Sequence, residues 1–171
     1  LSTITNAVSG SNPMSPSRIL HTPELVAKLH EDSISLSKAF TGASDGTLTY
    51  TFKYGADIAV GNQITLTLPN WVNSTAISSS STCGTGSTSW LLSTANSGST
   101  YSVTLQAATA PLSAGTSCSV VIQGLTNPSV KLPANYASIT AAVSGTTPAQ
   151  SATAISTTPE LVAKLHEDSI S

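Results

Sequence analysis

The sequence predicts an all-β protein, an antiparallel β-sandwich built as a unit of a tandem repeat. Three observations lead there. Residues 22–35 and 158–171 spell the same segment, TPELVAKLHEDSIS. Several stretches alternate strictly between apolar and hydroxyl side chains, the period-two signature of half-buried strands. Charged residues make up only 8% of the chain while hydrophobic ones reach 39%. Ordinary soluble domains carry roughly 25% charge.

The repetition extends upstream of the identical block. Residues 2–13 (STITNAVSGSNP) align with 137–148 (ASITAAVSGTTP), so the period is about 136 residues. That is far longer than the roughly 20–50 residues of solenoid or propeller repeats, and it suits a string of whole domains. The expected division is 1–21 as the end of a preceding repeat, 22–157 as one complete repeat and 158–171 as the start of the next. The duplicated segment is expected to form the joint between modules.

Each element has its own local reason. Residues 2–8 alternate and predict a strand, followed by a Pro/Ser connector over 9–17. In the duplicated block Thr22 suits a helix N-cap and Pro23 the first helical position. Glu24 and Lys28 sit four apart in the favourable order. Leu25, Val26 and Leu29 make an apolar stripe. These signals predict a short helix over 23–31, and therefore over its copy 159–167, although such a length is marginal alone. Ser33 to Lys38 alternates with Ile34 and Leu36 on one face. Residues 46–54 give the clearest strand, with Leu48, Tyr50, Phe52 and Tyr54 on one face and Thr47, Thr49, Thr51 and Lys53 on the other. Residues 62–68 repeat the pattern through Ile64, Leu66 and Leu68 until Pro69 stops it. Residues 78–89 are almost all Ser, Thr and Gly and read as a loop or weak edge. An apolar run begins at Trp90, and Asn96–Ser97–Gly98 predicts a turn. Residues 100–106 and 117–123 predict two further strands, and 136–143 the last. Short strands at this spacing suggest a sandwich.

Cys83 and Cys118 are an even pair in a Ser/Thr-rich β chain, which fits a disulfide and an oxidising compartment. Two free thiols in a reducing cell is the alternative. The bridge would close a loop worth about 4 kcal/mol in the chain-entropy picture.

Composition excludes several function classes. Net charge is −2 and the pI about 5.8, with six scattered Lys and Arg. No basic patch exists for nucleic acid or anionic lipid. No apolar run approaches the roughly 20 residues that a membrane-spanning helix needs. The chain begins inside a repeat, so any targeting signal is expected outside this segment.

At GTLTYTFKY, GNQITLTLP and AGTSCSVVIQGLTNPS the sequence resembles a repeat of very long extracellular proteins of algae and protists, with similar modules in bacterial adhesins. The matching positions are Gly46–Phe52, Gly61–Pro69 and Ala114–Ser129, within about 100 residues from Ser33 to Val143. The resemblance implies an immunoglobulin-like sandwich and a structural role in cell-surface fibres or matrix. TPELVAKLHEDSIS is not part of that pattern.

Catalytic and ligand motifs are thin. His30, Glu31 and Asp32, repeated as His166, Glu167 and Asp168, could suggest a metal site between modules. Adjacent side chains diverge, so a solvated charged helix end is the plainer expectation. His21 lacks a Cys or carboxylate at ligand spacing. No G-x-S-x-G elbow or phosphate loop occurs. The central carboxylates Asp45 and Asp57 lie in turn-like segments rather than as a cleft-flanking pair. The chain is therefore expected to be no enzyme and to hold no cofactor or metal. Asn73–Ser74–Thr75 is an N-glycosylation sequon, and the Ser/Thr clusters at 78–89 and 146–158 are candidate O-glycan carriers.

The leading expectation is a non-enzymatic structural repeat of an extracellular fibre, surface filament or matrix, with neighbouring copies as its partners. An adhesin or carbohydrate-binding module is the alternative, with Trp71 and Trp90 as candidate sugar-stacking residues. A more distant alternative is ice binding by the threonine rows Thr47/Thr49/Thr51 and Thr65/Thr67, although β-branched rows are common on exposed strands.

Overall fold

A computed structural model of the chain describes residues 5–6, 17–18, 28–84 and 88–164. Every regular element among them is a strand. In chain order these are β1 (Thr5–Asn6), β2 (Ser17–Arg18), β3 (Leu29–Leu36), β4 (Thr47–Tyr54), β5 (Gln63–Pro69) and β6 (Val72–Cys83). They continue with β7 (Trp90–Ser97), β8 (Thr100–Ala107), β9 (Cys118–Thr126), β10 (Thr140–Ser144) and β11 (Gln150–Ala154). Two antiparallel sheets form a sandwich-like body. One runs β3-β4-β9-β6 and the other β11-β10-β5-β8-β7, while β1 and β2 pair as a separate hairpin.

The alternating strands behave as their patterns predict. On β4, Leu48, Tyr50, Phe52 and Tyr54 are buried and the threonines between them are half-buried. Ile64, Leu66 and Leu68 of β5, with Tyr101, Val103 and Leu105 of β8, supply the facing layer of the same core. Tyr50 stacks on Phe52 at 5.1 Å between ring centroids, and Phe52 meets the edge of Trp90 at 5.9 Å. Such ring pairs add stabilisation beyond their buried area. Gly98, at φ 62°, opens the tight turn that joins Ser97 to its partner Thr100. A two-residue hairpin turn of this kind needs a left-handed residue, which glycine adopts at no steric cost.

Three expectations need correction, and one open reading is resolved. Neither predicted helix is found among the described residues. In the first copy, residues 29–31 open β3, and residues 23–27 lie outside the described residues. In the second copy, residues 159–164 are extended and bridged to neighbouring segments, and 165–167 lie outside the described residues. A two-turn helix is marginal alone, and backbone pairing on both sides outweighs its capping signals. Of the two forms expected for 78–89, a loop or a weak edge, residues 78–83 take the second. They belong to β6, held by a ladder to β9 from Ser78↔Gln123 to Cys83↔Cys118. The last strand of the module is not β10. A further strand, β11, lies within the Ser/Thr stretch and pairs with β10. Finally, β3 contains a bulge. His30 pairs with Lys53 and Ser33 with Thr51, so Glu31 and Asp32 together oppose Phe52. Glu31 takes the positive φ of 51°. One extra residue reverses the inward parity, so Leu29 on one side and Asp32 and Ile34 on the other all face the core.

Candidate functional site

The site that the fold builds most elaborately is the seat of residues 155–164, the stretch that leads into and through the second copy of TPELVAK. This closing segment lies between two walls. One wall is the free edge of β3 and the loop after it. Ile34 N donates to Thr157 O at 2.8 Å, and Thr157 N donates to Asp32 O at 3.3 Å. Further along, Thr41 N donates to Val162 O at 2.9 Å and Val162 N to Ala39 O at 3.2 Å. The other wall is the loop over 128–136. Leu161 and Leu132 exchange both backbone bonds, at 2.9 and 3.3 Å. Asn135, at a φ of 55°, donates its N–H to Thr158 O and accepts from Thr158 N through Oδ1, both at 3.0 Å. Asparagine tolerates that left-handed backbone and bonds the local chain at the same time.

Burial follows the backbone pairing. Ile155, Thr158 and Leu161 point into the body and are nearly inaccessible, while Ser156, Thr157 and Val162 are exposed. Buried Asn127 holds the receiving loop in place, since its side-chain amide donates to Lys38 O and Phe40 O at 2.8 and 2.9 Å. Lys164 ends the segment with its amine 5.9 Å from the centre of the Phe40 ring.

Asp32 anchors the start of the segment. It is 3% exposed and accepts from both the backbone N–H and the hydroxyl of Ser156. This corrects the expectation of a solvated charged helix end. The bulge turns Asp32 inward, where a carboxylate must be hydrogen-bonded. Glu31 instead points outward and accepts from Lys53 Nζ at 2.6 Å, and His30 is exposed. The structure therefore separates the three adjacent side chains, and no group of metal-ligating residues forms among the described ones. His166, Glu167, Asp168 and His21 lie outside the described residues. Burial raises the Tyr50 hydroxyl well above the ordinary tyrosine range, with a smaller push from the Asp32 charge.

The direction of the closing segment sets the shape of the module. It runs parallel to β3, through the bridges Ser33↔Thr157 and Phe40↔Val162. The chain enters at Lys28, where Gly55 N donates to Lys28 O at 3.0 Å and Leu29 N to Gln150 Oε1 at 2.6 Å. It leaves at Lys164, beside Thr41. Entry precedes the first residue of β3 and exit lies beyond its last, so the two are separated by the length of that strand, roughly 25 Å at about 3.3 Å per residue.

The other candidate residues fall elsewhere. Cys83 and Cys118 form a disulfide between directly opposed positions of β6 and β9. It ties neighbours within one sheet and lies in the core, where Trp90 Nε1 donates to Cys83 Sγ at 3.4 Å. Asn73 is exposed on β6, where the ladder to β9 is interrupted between Asn73 and Ser78. Trp71 and Trp90 are 3% and 7% exposed, so neither offers a ring face to a sugar. Asp45 pairs with Lys38, whose hydrogen bond and charge lower its pKa. Asp57 accepts from Ala114 N at 2.8 Å and fixes a loop. The threonine rows Thr47/Thr49/Thr51 and Thr65/Thr67 are half-buried on the outer faces, and Thr51 and Thr65 share hydroxyl contacts with Ser119 and Thr104. A cleft of about 470 Å³ at the entry pole is lined by Lys28, Leu29, Ala149, Gln150, Ser151 and Thr153, a set without an acid–base pair.

No helix among the described residues is long and apolar enough to cross a membrane. The chain matches no family model and no curated protein.

The signal for the closing segment is present in the sequence as the exact duplication. Nothing in its local pattern indicates an extended segment paired on two sides and buried at every third residue.

Proposed function

We infer that this chain is a structural repeat of an extracellular fibre, surface filament or matrix protein, acting through mechanical continuity rather than catalysis. The observation that carries the reading is the closing segment running parallel to β3, which sends the chain in at one pole and out at the other. A chain threaded that way lays successive copies in a line. The period of about 136 residues supplies the copies. The disulfide fits an oxidising setting outside the cell. The low charge lets copies approach without strong repulsion. Asn73 is exposed, as a glycan acceptor must be. The resemblance to immunoglobulin-like repeats of giant surface proteins points the same way. The carbohydrate-binding alternative loses its aromatic platform, because both tryptophans are core residues.

Electron microscopy of the native assembly, or of a recombinant array, tests the reading. Rods or filaments with one regular axial repeat per module are expected, no shorter than the roughly 25 Å that β3 spans at the strand rise. Compact particles in which consecutive modules fold back on each other would sink it.

A further inference from the structure

Resting on the tandem-array reading, we propose that the physical boundary between modules falls after TPELVAK, at Lys28/Leu29 and Lys164/Leu165. The first copy of this segment then closes the preceding module in the seat described above. The interaction surface is the groove between the β3 edge and the 128–136 loop, and its occupant is the module's own C-terminal segment. Each module thus begins at the residue after the previous one is sealed.

Two independent observations carry this. The first is the pattern of sequence identity. The three buried positions of the closing segment, Ile155, Thr158 and Leu161, correspond to Ile19, Thr22 and Leu25, which are the same residues. The exposed positions Ser156 and Thr157 correspond to Leu20 and His21, which differ. Upstream of the identical block the inward Ile19 is kept while its exposed neighbours differ, and from Thr22 to Lys28 every position is kept, which marks a segment that must fit a seat; the seat for the first copy belongs to the module before it. The Ser156 hydroxyl bond to Asp32 has no counterpart at Leu20, whereas the backbone N–H bond does not depend on the side chain.

The second is the hairpin at the start of the chain. Thr5 pairs with Arg18 and Asn6 with Ser17. At the repeat offsets these positions correspond to Thr140 with Ala154 and Ala141 with Thr153, which pair in the same way in β10 and β11. The stretch before Lys28 therefore reproduces the end of a module, strand pairing included.

The consequence is a joint with almost no slack. Leu161 and Val162 are paired to the body, and Lys164 N still donates to Thr41 Oγ1 at 3.3 Å. The next residue, Leu165, corresponds to Leu29, which opens β3.

The test compares equivalent substitutions in chains of two lengths. In the 171-residue chain, Leu161→Ala lowers the melting temperature and Leu25→Ala leaves it unchanged. A longer chain, with a copy of residues 29–135 placed ahead of Leu1, completes a second module. There Leu25→Ala lowers one of two calorimetric transitions by about as much as Leu161→Ala lowers the other. A four-residue Gly/Ser insertion between Lys28 and Leu29 leaves both transitions in place and widens the intermodule distance distribution seen by small-angle scattering. The same insertion between Thr157 and Thr158 lowers a transition. The boundary proposal is overturned if Leu25→Ala destabilises the 171-residue chain as Leu161→Ala does, if it has no effect in the longer chain, or if the insertion after Thr157 is harmless. None of these results depends on whether native filaments exist, so this test and the imaging test fail separately.

Discussion

Replacing Leu161 with Ala tests whether the closing segment is a structural part of the module. Leu161 is 1% exposed and sits against Leu132 at the margin of the core. Truncating a buried leucine costs about 2–5 kcal/mol, depending on how far the site collapses. A position at the margin of the core, walled on one side by a loop, falls in the lower half, at about 3 kcal/mol. Unfolding entropy of about 2.1 cal/mol/K per residue, over a module of about 136 residues, gives roughly 0.29 kcal/mol/K. The expected fall in melting temperature is then about 10 °C by circular dichroism or calorimetry. The control is Val162→Ala, one residue along and 49% exposed, which should change stability by no more than about 0.5 kcal/mol. Hydrogen exchange adds a local readout, because the amides of Ile34, Thr41, Leu132 and Asn135 donate to the segment and should lose protection first. Equal shifts for the two variants, or a Leu161→Ala shift under about 2 °C, would refute the docking argument.

Three further outcomes follow from the same geometry. Asp32→Ala leaves the Ser156 N–H without its acceptor and should cost about 1–3 kcal/mol, while Asp32→Asn, which keeps an acceptor oxygen, should cost less. A Cys83→Ala/Cys118→Ala double variant should lose about 4 kcal/mol in the chain-entropy picture, and reduction of the parent protein should reproduce most of that loss in a chemical-denaturation curve. For Tyr50 the folded pKa lies above the unfolded value of about 10. Its contribution is complete below pH 10 and is lost as pH rises through the folded value, so Tyr50→Phe should flatten the alkaline fall in stability, and identical alkaline limbs in the two proteins would contradict this.

Much of the sandwich is legible because its strands are local objects. β4, β5 and β8 each bury one face, and a period of two reports that directly from side-chain order. The pairing of Cys83 with Cys118 was reachable from the even count alone. β6 was legible only as a loop or weak edge and β11 not at all, since hydroxyl side chains dominate both and little apolar alternation remains. β3 was half visible, with Ile34 in phase and Leu29 out of phase, because a bulge leaves no mark in a hydrophobicity pattern.

By itself, the sequence determined the repeat period, the all-β class and the alternating faces that supply the core, because strand periodicity and copy number are properties of residue order. Tertiary structure alone decided the state of TPELVAK at 158–164. Its capping and stripe signals favour a helix over a few residues, but extended backbone paired on two sides, with Thr158 and Leu161 buried, satisfies more of the chain than two isolated turns can. The same contacts turned Asp32 from a presumed solvent charge into an anchor. Partners that lie more than a hundred residues away in the chain cannot be read from the segment they restrain.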